Sequence, residues 1–332
     1  MSSWYHTTAP NDDVAVGIRL RLCRNLKGYP FAHRMNDEQQ DAVNALIESS
    51  LFDGDDSKSD DFEILRLDTL SDVQRGALCE RGILPKRFFS DCRHKIILLS
   101  NDETVSILVN FEDHVRLQVF ESGLQFEKAY QKLSEWDDCL CTNLPIAFHE
   151  QLGFLTACPT NLGTGLKCSA LLHLPGLEAA GEIGMISESV SRIGLSFKAF
   201  LKGDMALYEV SNQITMGITE RTAIGNLQAI TEQVVARERA ARKLLDPIEI
   251  EDAACRALAV LKSARKLKDE ELGTMLSDLK LGIAENLTDA LPNNLPTRLY
   301  IESRPNMMRL ESTDEAAADR PHSLAQFIRN TL

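Results

Sequence analysis

Three short apolar runs set the character of the first half of the chain. Lys95–Ser100 (KIILLS), Thr104–Phe111 (TVSILVNF) and His114–Phe120 (HVRLQVF) are rich in Val, Ile and Leu and are separated by turn residues. Short runs of this kind predict an antiparallel meander. Upstream, Asp37–Ser49 has a helical pattern, and Leu51–Phe62 is acidic and rich in turn formers, as an exposed loop would be. Downstream, Gly123–Leu140 mixes polar and apolar residues as a helix does. Gly153–Cys158 and Ser169–Leu174 read as two strands around a glycine-rich loop, and Ala206–Met216 as another strand-like segment. Glu220–Leu245 is helical and ends in the charged stretch ARERAARKLL. Asp246-Pro247 marks a boundary, because proline disfavours helix at the residue before it. Beyond it, Ile250–Lys266 and Asp269–Ile283 read as amphipathic helices. A polar tail follows Pro305, with one last helix at Ser323–Asn330. No internal repeat is visible.

A length of 332 residues suggests two domains, or one large one with an appendage, and is ample to bury a core. Apolar residues make up 44% and charged residues 26%, the balance of an ordinary globular protein. That excludes a collagen, a wholly disordered chain and a disulfide miniprotein. The net charge of −13 argues against nucleic acid as a partner. No apolar run approaches the roughly 18 residues that span a bilayer. The start, Met1-Ser2-Ser3-Trp4-Tyr5-His6, lacks the order of a signal peptide, so a cytoplasmic protein is expected. Cys23, Cys79, Cys92, Cys139, Cys141, Cys158, Cys168 and Cys255 show neither a C-x-x-C pair nor zinc-ligand spacing. They are expected to be mostly buried thiols in a reducing compartment, with no metal site.

Four clusters could carry chemistry. Arg19 and Arg21, at i and i+2 of an extended segment that continues to Arg24, point to one side. Two guanidinium forks there suit a triphosphate; a solvated, ion-paired strand face is the commoner use of such a fragment. Asn110-Phe111-Glu112-Asp113-His114-Val115-Arg116 places an amide, two acids, a histidine and an arginine on one turn. It is either a general base beside a phosphate clamp or a polar hairpin tip with a structural His114. Cys158-Pro159-Thr160-Asn161-Leu162-Gly163-Thr164-Gly165-Leu166-Lys167 is glycine-rich and ends in a cation, without the Walker spacing. Cys158 is either a thiol of lowered pKa or a buried one. Lys198, Lys202 and Asp204 lie on a Gly-containing stretch that either closes over a ligand or is a surface loop.

Taken together and in this order, these clusters resemble the phosphagen (guanidino) kinase family, and most closely its bacterial protein arginine kinases. CPTNLGTGLK is the most distinctive stretch, and NFEDHVRL is similar to the family's N-E-E-D-H-[LI]-R pattern. IRLRLCRNL resembles S-S-R-[IV]-R-x-x-R. LGFLTACPTNLGTGL, ALLHLPGL, VSNQITMG, QVVARERAARKLL and LSDLKLGI extend the resemblance from about Val14 to Leu310. It implies transfer of a phosphoryl group from ATP to the guanidinium of a protein arginine. Such transfer passes through a loose transition state in which positioning and positive charge do most of the catalysis. Mg²⁺ rides largely on the phosphates and water. A carboxylate must orient the acceptor nitrogen and take its proton. By position the resemblance makes Glu112 that carboxylate and Cys158 the reactive cysteine. Arg19, Arg21 and Arg116 match three phosphate-binding arginines, with Lys167 and Lys198 where a fourth and fifth are usual.

The sequence departs from the family in places. Lys167 and Lys198 keep the charge but lose the bidentate fork. Phe111 replaces an acid, and Gly17 and Ile18 replace paired serines. The segment Lys198–Tyr208 is a few residues short; Met205 stands where a second carboxylate is usual, and its neighbour Asp204 is the substitute. The family's tail motif R-D-x-x-R-A lacks its second arginine across Asp319–Ala325, so control by phosphoarginine through it is not expected. The resulting expectation is an α+β fold. An antiparallel sheet flanked by helices forms a catalytic domain (1–245), followed by a helical domain (246–332). The expected activity is arginine phosphorylation with ATP and Mg²⁺. The alternatives are a catalytically weakened nucleotide- or phosphoarginine-binding regulator and a kinase of a small guanidino compound. The resemblance further implies protein substrates bearing arginine, a homodimer, a small zinc-binding activator protein, the Clp protease machinery downstream and a role in stress response, with no nucleic acid and no membrane.

Overall fold

The computed structural model describes residues 3–52, 61–200, 205–288, 290–311 and 319–332. In chain order its strands are β1 (Ala15–Arg24), β2 (Phe62–Arg66), β3 (Ile96–Ser100), β4 (Val105–Val109), β5 (Val115–Ser122), β6 (Phe148–His149), β7 (Gly153–Phe154), β8 (Leu166–His173), β9 (Leu195–Ala199) and β10 (Leu207–Asn212). The expected meander is β3-β4-β5, and it extends into one eight-stranded sheet of order β2-β3-β4-β5-β1-β8-β10-β9. Every neighbouring pair is antiparallel. β6 and β7 form a separate small hairpin.

The two faces of the sheet do different jobs, because successive side chains of a strand point to opposite sides. On one face Ile18, Leu20 and Leu22 of β1 meet the main core. They are joined by Val43, Ile47 and Leu51 of helix α1 (Asp37–Phe52). The core is completed by Leu133 and Leu140 of the 18-residue helix that runs Phe126–Asn143, and by Leu227 and Val234 of the long helix Glu220–Arg242. Thr219 caps that long helix by accepting from the Thr222 amide at 3.1 Å. On the other face, one end is covered by Leu67, Leu78, Ile83 and Leu84 packed on Ile97, Leu99 and Leu108. The opposite end is covered by the C-terminal helices, whose Leu261, Leu276 and Leu299 pack with Leu207 and Met205. Between these two plugs the middle of the face, on β5, β1 and β8, is left for polar side chains.

After Asp246 the chain is helical, with helices at Pro247–Ser263, Asp269–Ala284, Leu295–Glu302, Pro305–Glu311 and Arg320–Thr331. Asp246 caps the first of these, accepting from the Ile248 amide at 2.9 Å, and Pro247 occupies its first turn. The proline that ends one helical pattern therefore starts the next. Arg320, in the stretch compared above with the family's tail motif, donates to Asp269 at 2.5 Å and to the Ser303 carbonyl at 2.6 Å, tying the last helix to its neighbours.

Several expectations need correction. Gly153–Cys158 is a strand only at Gly153–Phe154. Beyond it the Leu155 amide donates to the Ala147 carbonyl and the Ala157 amide to Asp113, so the backbone is satisfied without a ladder. Lys198 lies on edge strand β9, not on a loop; Lys202 and Asp204 fall outside the described residues, as do residues 53–60 of the acidic loop. The tail after Pro305 holds a further helix, Pro305–Glu311, before the expected last one, which runs Arg320–Thr331. Of the eight cysteines, all free, Cys23 and Cys168 alone are buried, while Cys141 and Cys255 are exposed. Strand β2, the capped helix Asp72–Glu80 and the helix Ile183–Arg192 had no counterpart in the sequence reading.

Candidate active site

Register brings the predicted cations onto the open middle of the sheet. Directly opposed residues of an antiparallel pair share a face. Arg21 on β1 faces Lys167 on β8 and Gln118 on β5, and Cys23 faces Arg116 on β5. Arg19 lies one pleat further along β1. Lys198 on β9 faces Glu209 on β10. Glu209 lies between two cations as an ion-pair partner, 3.6 Å from Arg19 and 3.2 Å from Lys198, and so joins two of the five. Lys167 donates its Nζ to the Asn212 carbonyl.

This cluster is electrostatically unfinished. Among the described residues, Nε and Nη1 of Arg116 and Nε of Arg21 are buried without a hydrogen-bond partner. Buried polar groups are ordinarily paired, and these three nitrogens are donors that an anion would satisfy. Burial, then Arg21, lowers the Arg116 guanidinium to about 10. Burial, then Arg21, also lowers the Lys167 ammonium. Burial, then Asp113, pushes the Cys23 thiol up to about 12, so it stays neutral beside Arg116. A polyanion laid across the face would relieve the costs on Arg116 and Lys167 together.

The turn Asn110–His114 sorts its own residues. Asn110 sits at φ 63° and donates its amide to the Gln40 carbonyl at 2.8 Å and to Asn44 at 2.9 Å. Phe111 is buried and meets Phe88 edge to face at 5.0 Å. Asp113 accepts from Asn25 and from the Ala157 amide, both at 2.7 Å. The Leu26 amide donates to Nδ1 of His114 at 3.0 Å, which assigns the ring proton to Nε2, 2.7 Å from the Pro30 carbonyl. Burial lowers the His114 pKa, against its bond to Pro30. His114 is therefore a neutral structural group. Glu112 is the one acid of the turn left facing solvent, and its partner is Arg87 at 2.5 Å. A cleft of about 550 Å³ opens beside it, lined by Gln40, Arg87, Lys95 and Asn110 among others.

The Asp113–Ala157 bond ties this turn to the cysteine loop, since Glu112 and Cys158 are the next residues along. Cys158 is half-buried, with Sγ 3.1 Å from the Thr160 hydroxyl. The loop needs its glycines. Gly163, at φ +110°, lies where a Cβ would come within 2.3 Å of the Thr215 carbonyl; Gly165, at φ +69°, lies where one would come within 2.6 Å of the Cys23 carbonyl. Thr215 holds the loop by donating to the carbonyls of Thr160 and Leu162. Arg24, on the opposite side of β1 from Arg21, is not a free cation. It pairs with Asp137 at 2.6 Å and Glu220 at 3.1 Å and stacks 3.5 Å from the Phe154 ring centroid.

The sequence reading missed Glu209, Asn25 and Arg87. Glu209 could be found only from strand register, and Arg87 only from a contact spanning 25 residues. Among the described residues no group of three or more His, Cys, Asp or Glu side chains could hold a metal ion.

Residues 42–241 match the family model for the ATP:guanido phosphotransferase C-terminal catalytic domain, and residues 247–332 match that for the protein-arginine kinase McsB C-terminal domain. The chain is 36% identical over 311 residues to a protein-arginine kinase of Clostridium novyi (strain NT), covering 92% of this chain and 90% of that one. It is 35% identical over 340 residues to one of Desulforamulus reducens, covering 100% and 95%. Among solved structures, the substrate-free duplicated taurocyamine kinase of Schistosoma mansoni aligns with a TM-score of 0.61 at 19% identity, over 82% of this chain and 42% of that one. A lombricine kinase aligns with a TM-score of 0.60 at 18% identity, over 72% of each chain. The chain belongs to the protein-arginine kinases of the ATP:guanido phosphotransferase family.

Proposed function

We propose that this protein transfers the γ-phosphoryl group of ATP to the guanidinium of arginine side chains in proteins. The observation that carries the proposal is the cluster of buried, partnerless guanidinium nitrogens on Arg21 and Arg116 beside the turn that presents Glu112. Arg19, Arg21 and Arg116 grip the phosphates, with Lys167 and Lys198 adding charge without a fork. Fixed cations stabilise the spread charge of a loose transition state and need no reorganisation as it forms. Glu112 orients the acceptor nitrogen and takes its proton as the N–P bond forms, so that ADP and a phosphoarginine side chain result. Cys158, on the loop tied to the same turn, lies against the acceptor guanidinium, and Asp204 is the second carboxylate. Mg²⁺ enters as Mg·ATP, held by the phosphates, and neutralises part of their charge.

Residues 1–245 form the catalytic domain in this proposal and residues 246–332 a helical domain for dimerisation. Among the described residues no helix is long and apolar enough to cross a membrane. The family resemblance adds a cytoplasmic location, a role in stress response, a homodimer, a small zinc-binding activator and the Clp protease machinery. No specific observation favours a non-catalytic regulator or a kinase of small guanidines. The test is incubation with Mg·ATP and an arginine-bearing protein, followed by analysis for acid-labile phosphate on arginine. Phosphate on serine or threonine alone, or none, contradicts the proposal.

A further inference from the structure

Arg87 has no part in the proposed chemistry, yet it occupies its most sensitive position. It lies on the single helical turn Lys86–Phe88, just after Pro85. Its Nη2 donates to Oε2 of Glu112 at 2.5 Å, and its guanidinium lies 4.8 Å from the Phe88 ring centroid. Phe88 in turn packs on Phe111, the residue before Glu112. An aromatic stack thus holds a guanidinium in register with the acid turn. That group is chemically the same as the acceptor Glu112 is there to receive.

We propose that Arg87 is a built-in occupant of the acceptor seat, which an incoming arginine must displace. The inference rests on Glu112 being the acceptor carboxylate. The competition follows from charge and geometry: Arg87 already holds Oε2 of Glu112, so an incoming guanidinium cannot take both carboxylate oxygens while Arg87 stays, and the internal pair lowers the apparent affinity for the external one. The pair is partly exposed, with 54% of the Arg87 side chain and 28% of the Glu112 side chain accessible. Exposed pairs are weak, about 0.2–1 kcal/mol, which sets the penalty on acceptor binding at up to about five-fold. A weak latch of this kind discriminates against acceptors that bring only a guanidinium. An arginine whose flanking residues also fill the adjacent cleft of about 550 Å³ loses least.

The test uses the full-length protein and two variants, Arg87→Ala and Arg87→Gln; the second keeps a stem over Phe88 without the charge. Steady-state rates at saturating Mg·ATP are measured with an arginine-bearing protein, and binding of agmatine is followed by ligand-observed NMR with Mg·ADP present. Both variants are expected to lower the acceptor KM and the agmatine Kd by two- to five-fold, with kcat and the KM for ATP unchanged. A kcat that falls with KM unchanged makes Arg87 a positioning residue for Glu112 and overturns the proposal. An unchanged or weaker agmatine Kd overturns it equally. Should the wild-type protein phosphorylate no arginine, the catalytic proposal fails separately, because the agmatine titration reads displacement of Arg87 without turnover.

Discussion

Arg116→Met separates the cost of the cation cluster from its use. Methionine keeps an unbranched stem of similar reach in a buried position and removes the charge. Arg116 is buried and leaves two nitrogens unpartnered. Burial, then Arg21, lowers its guanidinium to about 10, which costs the fold stability on the order of a few kcal/mol. The folded pKa lies below the unfolded one. The penalty is therefore fully present at all pH values below about 10 and is relieved only as pH rises through it. At neutral pH the ligand-free Arg116→Met protein should accordingly be more stable than wild type. At about 2–4 °C per kcal/mol for somewhat smaller proteins, the melting temperature should rise by a few degrees. The stabilisation that nucleotide confers on wild type should disappear in the variant, and turnover with it. The assay is thermal denaturation of both proteins with and without Mg·ADP. A lower melting temperature for the ligand-free variant would show that Arg116 is already satisfied in the empty protein. A preserved nucleotide shift would remove it from the phosphate site.

Other expectations follow from the same geometry. Glu209→Gln removes the counter-charge shared by Arg19 and Lys198, and should lower the melting temperature of the ligand-free protein by a few degrees while nucleotide restores most of the loss. Lys167→Arg restores a fork at a half-buried phosphate position and should keep or raise kcat/KM for ATP in a steady-state assay; a large loss would mean that the Asn212 carbonyl leaves no room for it. His173 is fully buried with Nε2 2.9 Å from the Ser277 hydroxyl, and burial, then Lys280 and Arg242, holds its pKa well below the usual value. A base depressed in the fold costs stability as pH falls below about 6.5, by up to about 1.4 kcal/mol per pH unit. His173→Gln should flatten the dependence of the urea midpoint on pH between about 6.5 and 5; an unchanged slope would contradict the burial argument.

The parts of the fold legible in the sequence were those whose pattern matches one burial environment. Strands β3 and β4 are buried along their whole length, so IILLS and VSILV announce themselves. β9 buries only Leu195 and Phe197 at the sheet edge and carries a lysine and a serine between and beside them, so its sequence reads as a loop. β2 is an edge strand with no buried residue, and for the same reason it left no trace. The site divided in the same way. The i, i+2 spacing was enough to place Arg19 and Arg21 on one side, because that is a property of a single strand. Arg116, Lys167 and Lys198 came from family resemblance, and only the register of β5, β8 and β9 puts them on the same surface. Arg24 looked like a third member of the basic run, but its position on the core face commits it to Asp137 and Glu220. Asp113 and His114 belong to a turn whose residues alone left a structural role and a chemical one open. Their partners Asn25, Ala157, Leu26 and Pro30, distant in sequence, make them structural and leave Glu112 as the acid at the cleft.

The most direct measurement is ³¹P NMR of a neutral-pH reaction containing the full-length protein, Mg·ATP and an arginine-bearing protein, run beside the same reaction with Glu112→Gln. Wild type should deplete the γ-phosphate signal and generate a nitrogen-linked phosphate that acid removes, while the variant binds nucleotide but forms no such signal. A variant that makes the same product at the wild-type rate would contradict the assignment of Glu112 as the group that receives the acceptor arginine and its proton.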